Sequence, residues 1–126
     1  MNELVKMREA FRPFAPSVLA TEAKGLLSMN RPDPFMSTTW PVREGAGIPA
    51  ITHVDGSARP QTVDGVANRR YAALIERFFA RTGCPAIVNT SFNVRGEPVV
   101  CSPIDAIHCF ARSGIETLVL EDFVID

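Results

Sequence analysis

Asn68-Arg69-Arg70-Tyr71-Ala72-Ala73-Leu74-Ile75-Glu76-Arg77-Phe78-Phe79-Ala80-Arg81-Thr82-Gly83, followed at once by Cys84-Pro85-Ala86-Ile87-Val88-Asn89, decides the fold. Tyr71, Leu74, Ile75, Phe78 and Phe79 recur at i, i+3, i+4, i+7 and i+8, which puts them on one face of a helix over residues 68–82. Glu76, Arg77 and Arg81 fall on the opposite face, and Gly83 is a natural C-terminal stop. Residues 85–89 then read as a short strand, apolar along its length because both its faces are to be covered.

The same alternation continues downstream. A polar loop at residues 90–97 leads to an expected strand, Pro98-Val99-Val100-Cys101. Ser102-Pro103-Ile104-Asp105 opens the next helix with an N-cap serine, proline at N1 and an acidic residue at N3. Ala106, Ile107, Phe110 and Ala111 are its expected buried stripe, with Gly114 at its end. Thr117-Leu118-Val119-Leu120 and Phe123-Val124-Ile125 read as two closing strands. Upstream, the prolines of Phe11-Arg12-Pro13-Phe14-Ala15-Pro16-Ser17-Val18-Leu19 exclude regular helix. Residues 28–47 read as a loop. Residues 48–54 and 59–63 read as the two strands of a hairpin with its tip at Asp55-Gly56. The expected class is α/β, a layered domain with a short mixed sheet and helices packed on it.

A chain of 126 residues is the size of one domain with one core, and 46% hydrophobic content is enough to fold it. The formal net charge of −1 disfavours a broad nucleic-acid or anionic-membrane surface, while leaving room for a local anion site. Cys84, Cys101 and Cys109 are odd in number, lack Cys-x-x-Cys spacing and sit among apolar neighbours, so buried reduced thiols are expected. The N-terminal residues lack a signal-peptide core and no apolar run reaches membrane-spanning length, which points to a cytoplasmic protein.

Two loops concentrate polar residues between apolar flanks. One is His53-Val54-Asp55-Gly56-Ser57-Ala58-Arg59-Pro60-Gln61-Thr62, and the other is Asn89-Thr90-Ser91-Phe92-Asn93-Val94-Arg95-Gly96-Glu97-Pro98. The second follows a buried strand, where α/β sheets commonly place ligands. Asn89, Thr90, Ser91 and Asn93 offer short donors and acceptors suited to a small amide or a phosphate. Arg59 and Arg95 can each grip an anion with a planar, two-pronged donor set, and Arg8 and Arg12 add two more guanidiniums. Simpler readings stand beside these: a turn satisfying its own backbone, a hairpin tip at Asp55, and solvated arginines with packed stems. His53 and His108 make no metal site, and the P-loop, Gly-x-Gly-x-x-Gly and Gly-x-Ser-x-Gly patterns are absent.

Four stretches, in order, resemble the NodU/CmcH carbamoyltransferase family. They are Lys6-Met7-Arg8-Glu9-Ala10-Phe11-Arg12-Pro13-Phe14-Ala15-Pro16-Ser17-Val18-Leu19, Val54-Asp55-Gly56-Ser57-Ala58-Arg59-Pro60-Gln61-Thr62-Val63, the loop from Asn89 to Pro98, and Ser102-Pro103-Ile104-Asp105-Ala106. The likeness covers nearly the whole chain. It implies the C-terminal part of a YrdC-like α/β domain, which in that family uses carbamoyl phosphate and ATP, with magnesium, to make a carbamoyl-adenylate. An N-terminal metal-dependent transferase domain then passes the carbamoyl group to a hydroxyl of a small metabolite.

Carried onto this sequence, the resemblance makes Arg59 and Arg95 candidates for phosphate, with Asn89, Ser91 and Asn93 shaping the carbamoyl or nucleotide pocket. Arg8 and Arg12 are either ligand-facing or structural. A further family signature, Glu-Phe-Gly-Pro-Arg-Ala-Leu-Gly-x-Arg-Ser, is absent, as is the histidine-bearing metal site of the transferase domain. The chain is therefore expected to need that N-terminal domain as a partner, in cis or in trans, to complete transfer. The rival expectations are an inactive interaction module that self-associates through exposed apolar surface, and an RNA-binding YrdC-like domain, which the near-neutral charge disfavours.

Overall fold

A computed structural model describes Val5, Lys6, Glu9 and residues 12–126. The chain divides into two compact units: Pro13–Thr90, and Ser91–Asp126 with the described residues up to Arg12. Both are mixed α/β, the class the sequence implied.

The unit Pro13–Thr90 is organised by β1 (Ala15–Leu19), all five residues of which are buried. It is the central strand of a sheet in the order β4-β1-β5, parallel to β4 (Gln61–Val63) and antiparallel to β5 (Ala86–Asn89). Ser17 lies opposite Gln61 on one side and Ile87 on the other, while Ala15 lies opposite Asn89. Strand side chains alternate, so Ala15, Ser17 and Leu19 share one face while Pro16 and Val18 share the other. The first face carries α2 (Arg69–Thr82): Leu19 and Val63 pack with Ala72 and Ile75, flanked by Tyr71, Phe79 and Ile87. On the second face, Val18 and Ala86 pack with Leu26, Leu27, Met29, Ile48, Ile51 and Ala58. A strand covered on both sides reads as continuously apolar, and Ser17, fully buried, is its exception.

Helix α2 starts where Asn68 accepts a hydrogen bond from the Tyr71 amide at 3.1 Å. It stops at Gly83, whose left-handed φ of 73° lets its amide reach the Phe79 carbonyl at 2.8 Å. The expected apolar stripe is wider than the three-stranded sheet can cover. Ile75 is fully buried and Ala72 joins it, whereas Leu74 and Phe78 are 55% and 39% exposed.

Residues 48–54 are not a strand. Pro49–Ile51 forms a 3-10 turn after α1 (Ala23–Leu26) and β2 (Trp40–Pro41), with Pro49 at its first position. The Asp55-Gly56 turn is present: the His53 amide donates to the Ser57 carbonyl at 2.7 Å, and Gly56 takes a φ of 78°. The hairpin expected around it does not form. β3 (Ser57–Ala58) pairs antiparallel with β2, and β4 turns away to run beside β1.

The loop at residues 28–47 is ordered by Asp33, a buried carboxylate. It accepts from the Ser37 amide at 2.9 Å, the Thr38 amide at 2.8 Å and the Thr38 hydroxyl at 2.6 Å. Trp40 Nε1 donates to that hydroxyl in turn, at 2.9 Å. Donors aimed at a carboxylate favour its charged form, and those of Ser37 and Thr38 hold Asp33 down at about 2 against burial.

In the other unit, α3 (Pro103–Arg112) begins with the expected box: Ser102 Oγ accepts from the Asp105 amide at 3.2 Å and Asp105 Oδ2 accepts from the Ser102 amide at 3.0 Å. Its buried residues are Ala106 and Cys109. Ile107 and Ala111 are exposed and Phe110 half-buried, so the buried stripe is rotated from the expected one and carries the thiol. β6 (Leu118–Leu120) and β7 (Phe123–Ile125) pair antiparallel as a hairpin, as expected. Residues 98–101 are not a strand. Val100 donates a single backbone hydrogen bond to Phe92 at 3.0 Å, and Val99 is exposed. Of the cysteines only Cys109 is buried; Cys84 is half-buried and Cys101 exposed. Among the described residues no helix is long and apolar enough to cross a membrane.

Truncating Ile75 to alanine empties a site with no exposure. In urea melts Ile75→Ala is expected to lose about 2–5 kcal/mol, against less than about 1 kcal/mol for Leu74→Ala. Asp33 titrates lower in the folded chain than its ordinary 3.8, so its contribution is present above about pH 4 and fades as pH falls toward about 2. Thermal melts from pH 5 to pH 2.5 are expected to show that loss, with a shallower decline in Asp33→Asn.

Candidate functional site

The loop at residues 91–97 is held from inside by a buried ammonium. Lys6, 6% exposed, extends its Nζ to the Ser91 carbonyl at 2.5 Å, the Asn93 carbonyl at 2.9 Å and Asn93 Oδ1 at 2.8 Å, with Ser91 Oγ at 3.4 Å. All four are neutral oxygens, which meet the ammonium with their dipoles. Asn93 is oriented twice over. Its Oδ1 also accepts from Ser91 Oγ at 2.7 Å, while its Nδ2 donates to the Glu97 carbonyl at 2.9 Å. The loop reverses at Arg95-Gly96, where Gly96 takes a φ of 81° and the Glu97 amide closes onto the Val94 carbonyl at 3.2 Å. An ion pair from Glu97 to Arg112 ties the loop to α3.

This arrangement lines a pocket of about 320 Å³ with Lys6, Glu9, Arg12, Ser91, Asn93, Val94, Arg95 and Gly96. Glu9 lies between two guanidiniums, 3.8 Å from Arg12 and 4.0 Å from Arg95. These are long contacts, and the arginine side chains are 53% and 70% exposed. Exposed pairs of this kind hold little energy. Among the described residues, three cationic side chains and one carboxylate line the pocket, with hydroxyl and amide groups between them, a balance that favours an anion.

Ser91, Asn93, Arg95 and Arg12, four of the seven residues singled out in the sequence, meet in this pocket. Arg8 lies outside the described residues. Asn89 and Arg59 belong to the other unit. Asn89 ends β5 and donates to Gln61 Oε1 at 2.8 Å. Arg59 follows β3, is exposed, and makes no ion pair or hydrogen bond with any described residue. Lys6 and Glu9 were not singled out, although both stand in the first family stretch; a lysine among arginines beside proline-rich sequence was the available signal.

His53, Asp55 and Ser57 bond to one another within their own turn. His53 Nδ1 lies 3.1 Å from Ser57 Oγ, and Ser57 donates its hydroxyl and amide to Asp55, holding that carboxyl below its ordinary range. Burial, aided by the Glu97 charge, pushes the Cys109 thiol up, which keeps it protonated and unreactive.

Fold and pocket thus define an α/β chain with a lysine-braced, arginine-rimmed anion pocket. The family model for the carbamoyltransferase C-terminus matches residues 1–126, and the chain belongs to that family. It is 46% identical to the uncharacterized protein sll1178 of Synechocystis sp., over 99% of this chain and 24% of that protein. It is 43% identical to the nodulation protein NolNO of Sinorhizobium fredii, over 99% and 19% respectively. To the 3'-hydroxymethylcephem-O-carbamoyltransferase of Amycolatopsis lactamdurans it is 37% identical, over 97% and 23%. The chain therefore spans about a fifth to a quarter of the length of these relatives.

Lys6→Met keeps the length of the side chain but removes its donors, leaving the Ser91 and Asn93 oxygens without that partner. The expected cost is about 1–3 kcal/mol. Hydrogen exchange is expected to quicken first at the amides of residues 91–97.

Proposed function

We propose that this chain supplies the carbamoyl-phosphate- and ATP-binding part of an O-carbamoyltransferase, contributing to carbamoyl-adenylate formation before the carbamoyl group passes to a hydroxyl of a small metabolite. The observation that carries the proposal is the convergence of Lys6, Arg12 and Arg95 on one pocket with Ser91 and Asn93. Family membership supports the reading, as does the relative whose name is an O-carbamoyltransferase.

The residues fit phosphate chemistry. Adenylate formation concentrates negative charge on phosphate oxygens, and the main demand on the protein is donors already in place. Arg12 and Arg95 are the gripping groups, each able to give two parallel N–H donors to one phosphate. Lys6 holds the loop from inside. Ser91 and Asn93 set the shape and polarity of the pocket. Arg59 and Asn89 are proposed as ligand contacts of the unit Pro13–Thr90 taken by itself. Magnesium would arrive with the nucleotide, since the one carboxylate among the described lining residues, Glu9, is already placed against two arginines. The N-terminal transferase domain found in the family would complete the reaction and choose the acceptor. A cytoplasmic setting, where both substrates are made, belongs to the same proposal.

Calorimetric titration of the purified chain with carbamoyl phosphate, and with ATP plus magnesium, tests the reading. The folded chain is expected to bind, and Arg12→Ala with Arg95→Ala to weaken binding by about 10- to 100-fold, the loss of two charge-assisted contacts. Arg59→Ala measures the contribution of the other unit separately. A folded chain that binds neither ligand, or a double variant that binds as tightly as the parent, overturns the proposal.

A further inference from the structure

Helix α2 covers the sheet with one face, and its outer side carries a second pattern. Arg70, Leu74 and Phe78 form one row of residues four apart, and Ala73, Arg77 and Arg81 form the adjacent row. All six are exposed. Leu74 and Phe78 keep 55% and 39% of their surface in water, side by side, where a helix that had only to cover the sheet would carry polar residues. Rows of this spacing are ridges with a groove between them, and Ala73, the smallest of the six side chains, leaves the N-terminal half of that groove open.

The charge on this side is of one sign. Arg70, Arg77 and Arg81 lie within about 40° of one another around the helix axis, with Leu74 about 20° further round. Glu76, the one acidic residue of α2, points about 100° away from Arg77. Arg77 and Arg81 make no ion pair or hydrogen bond with any described residue. The helix dipole accounts in part for Arg81, which stands in the last turn, and a solvated arginine is ordinary. Neither accounts for a leucine and a phenylalanine held in water among arginines. Adjacent exposed apolar side chains rimmed by arginine are the composition of a protein-docking surface.

We infer that this side of α2 docks an acidic amphipathic helix of a protein partner. The spacing of the rows calls for a helix, whose apolar ridge enters the groove beside Leu74 and Phe78. The charge calls for carboxylates flanking that ridge, since Arg77 and Arg81 can each hold one with two parallel N–H donors. A second copy of α2 is unsuitable, because it would set arginines against arginines. Two apolar side chains are too few to hold a bilayer, and an aliphatic leucine gives a nucleic acid nothing to stack on. The surface is independent of the functional reading above: none of its residues lines the anion pocket.

Two labelled peptides of about 20 residues, long enough to be helical alone, test the surface. Both carry leucines at helical i, i+3, i+4 and i+7 spacing; one has glutamates flanking the leucines, and the other has lysines in their place. In fluorescence anisotropy with the full chain, the glutamate peptide is expected to bind about tenfold more tightly than the lysine peptide. Arg77→Glu with Arg81→Glu is expected to reverse that preference, and Arg77→Gln with Arg81→Gln to bring it close to unity. Leu74→Ala is expected to weaken the glutamate peptide by about fivefold and to leave the preference in place. All three positions are exposed, so each variant is expected to keep the parent's thermal melt within a few degrees. Absence of glutamate-peptide binding at millimolar concentration, equal affinity for the two peptides, or an affinity that no variant changes overturns the inference. So does a phosphatidylserine vesicle or a structured RNA that binds more tightly than the glutamate peptide and is lost in the arginine variants.

Discussion

Strand β1 is hydrogen-bonded along both edges and covered on both faces, and the unit Pro13–Thr90 is arranged around that constraint. Its backbone groups are matched by β4 and β5, and its side chains by α2 on one side and the loop-borne cluster of Leu27, Ile48 and Ile51 on the other. Burying a serine in the middle of such a strand is costly unless every polar atom is met. Tyr71 and Gln61 meet Ser17 through its hydroxyl.

The second unit solves a different problem, how to keep a glycine-containing polar loop in one conformation. Lys6 supplies the answer by giving several loop oxygens a common charged donor. Hydrogen bonds to a charged group are stronger than those between neutral ones, so one side chain can fix a turn that local sequence would leave mobile. The rim is more exposed. Glu9 stands at the edge of ion-pair distance from Arg12 and Arg95, and both guanidiniums remain largely in solvent. A braced loop beneath largely exposed guanidiniums suits a ligand that brings its own negative charge.

What could be read from the sequence divides by the range of the forces involved. Helices α2 and α3, with the stop at Gly83 and the cap at Ser102, were legible because caps and periodicity are local. So was β5, whose apolar run is short and bounded. Residues 48–54 misled because alternation implies a strand only where a partner exists, and β4 finds its partner in β1, far back in the chain. Residues 98–101 failed for the same reason. The stripe of α3 was misplaced because the choice between Ile107 and Cys109 is made by packing and not by hydropathy. In the site, the loop residues Ser91, Asn93 and Arg95 were legible as a polar run after a short apolar strand, although of β5 only Ala86 is buried. Lys6 was not, since its role depends on oxygens 85 and 87 residues away, and neither was Asp33, whose partners lie within its own loop but look like ordinary turn residues.

The central claim is that the loop braced by Lys6 receives a phosphate-bearing ligand. Hydrogen–deuterium exchange of the folded chain with and without carbamoyl phosphate tests it most directly, because it reports where protection arises and needs no transfer activity. The account expects slower exchange at residues 91–97, growing with ligand concentration to saturation and reduced in the Arg12→Ala, Arg95→Ala variant. Saturating protection elsewhere, with the amides of residues 91–97 unchanged, would contradict it.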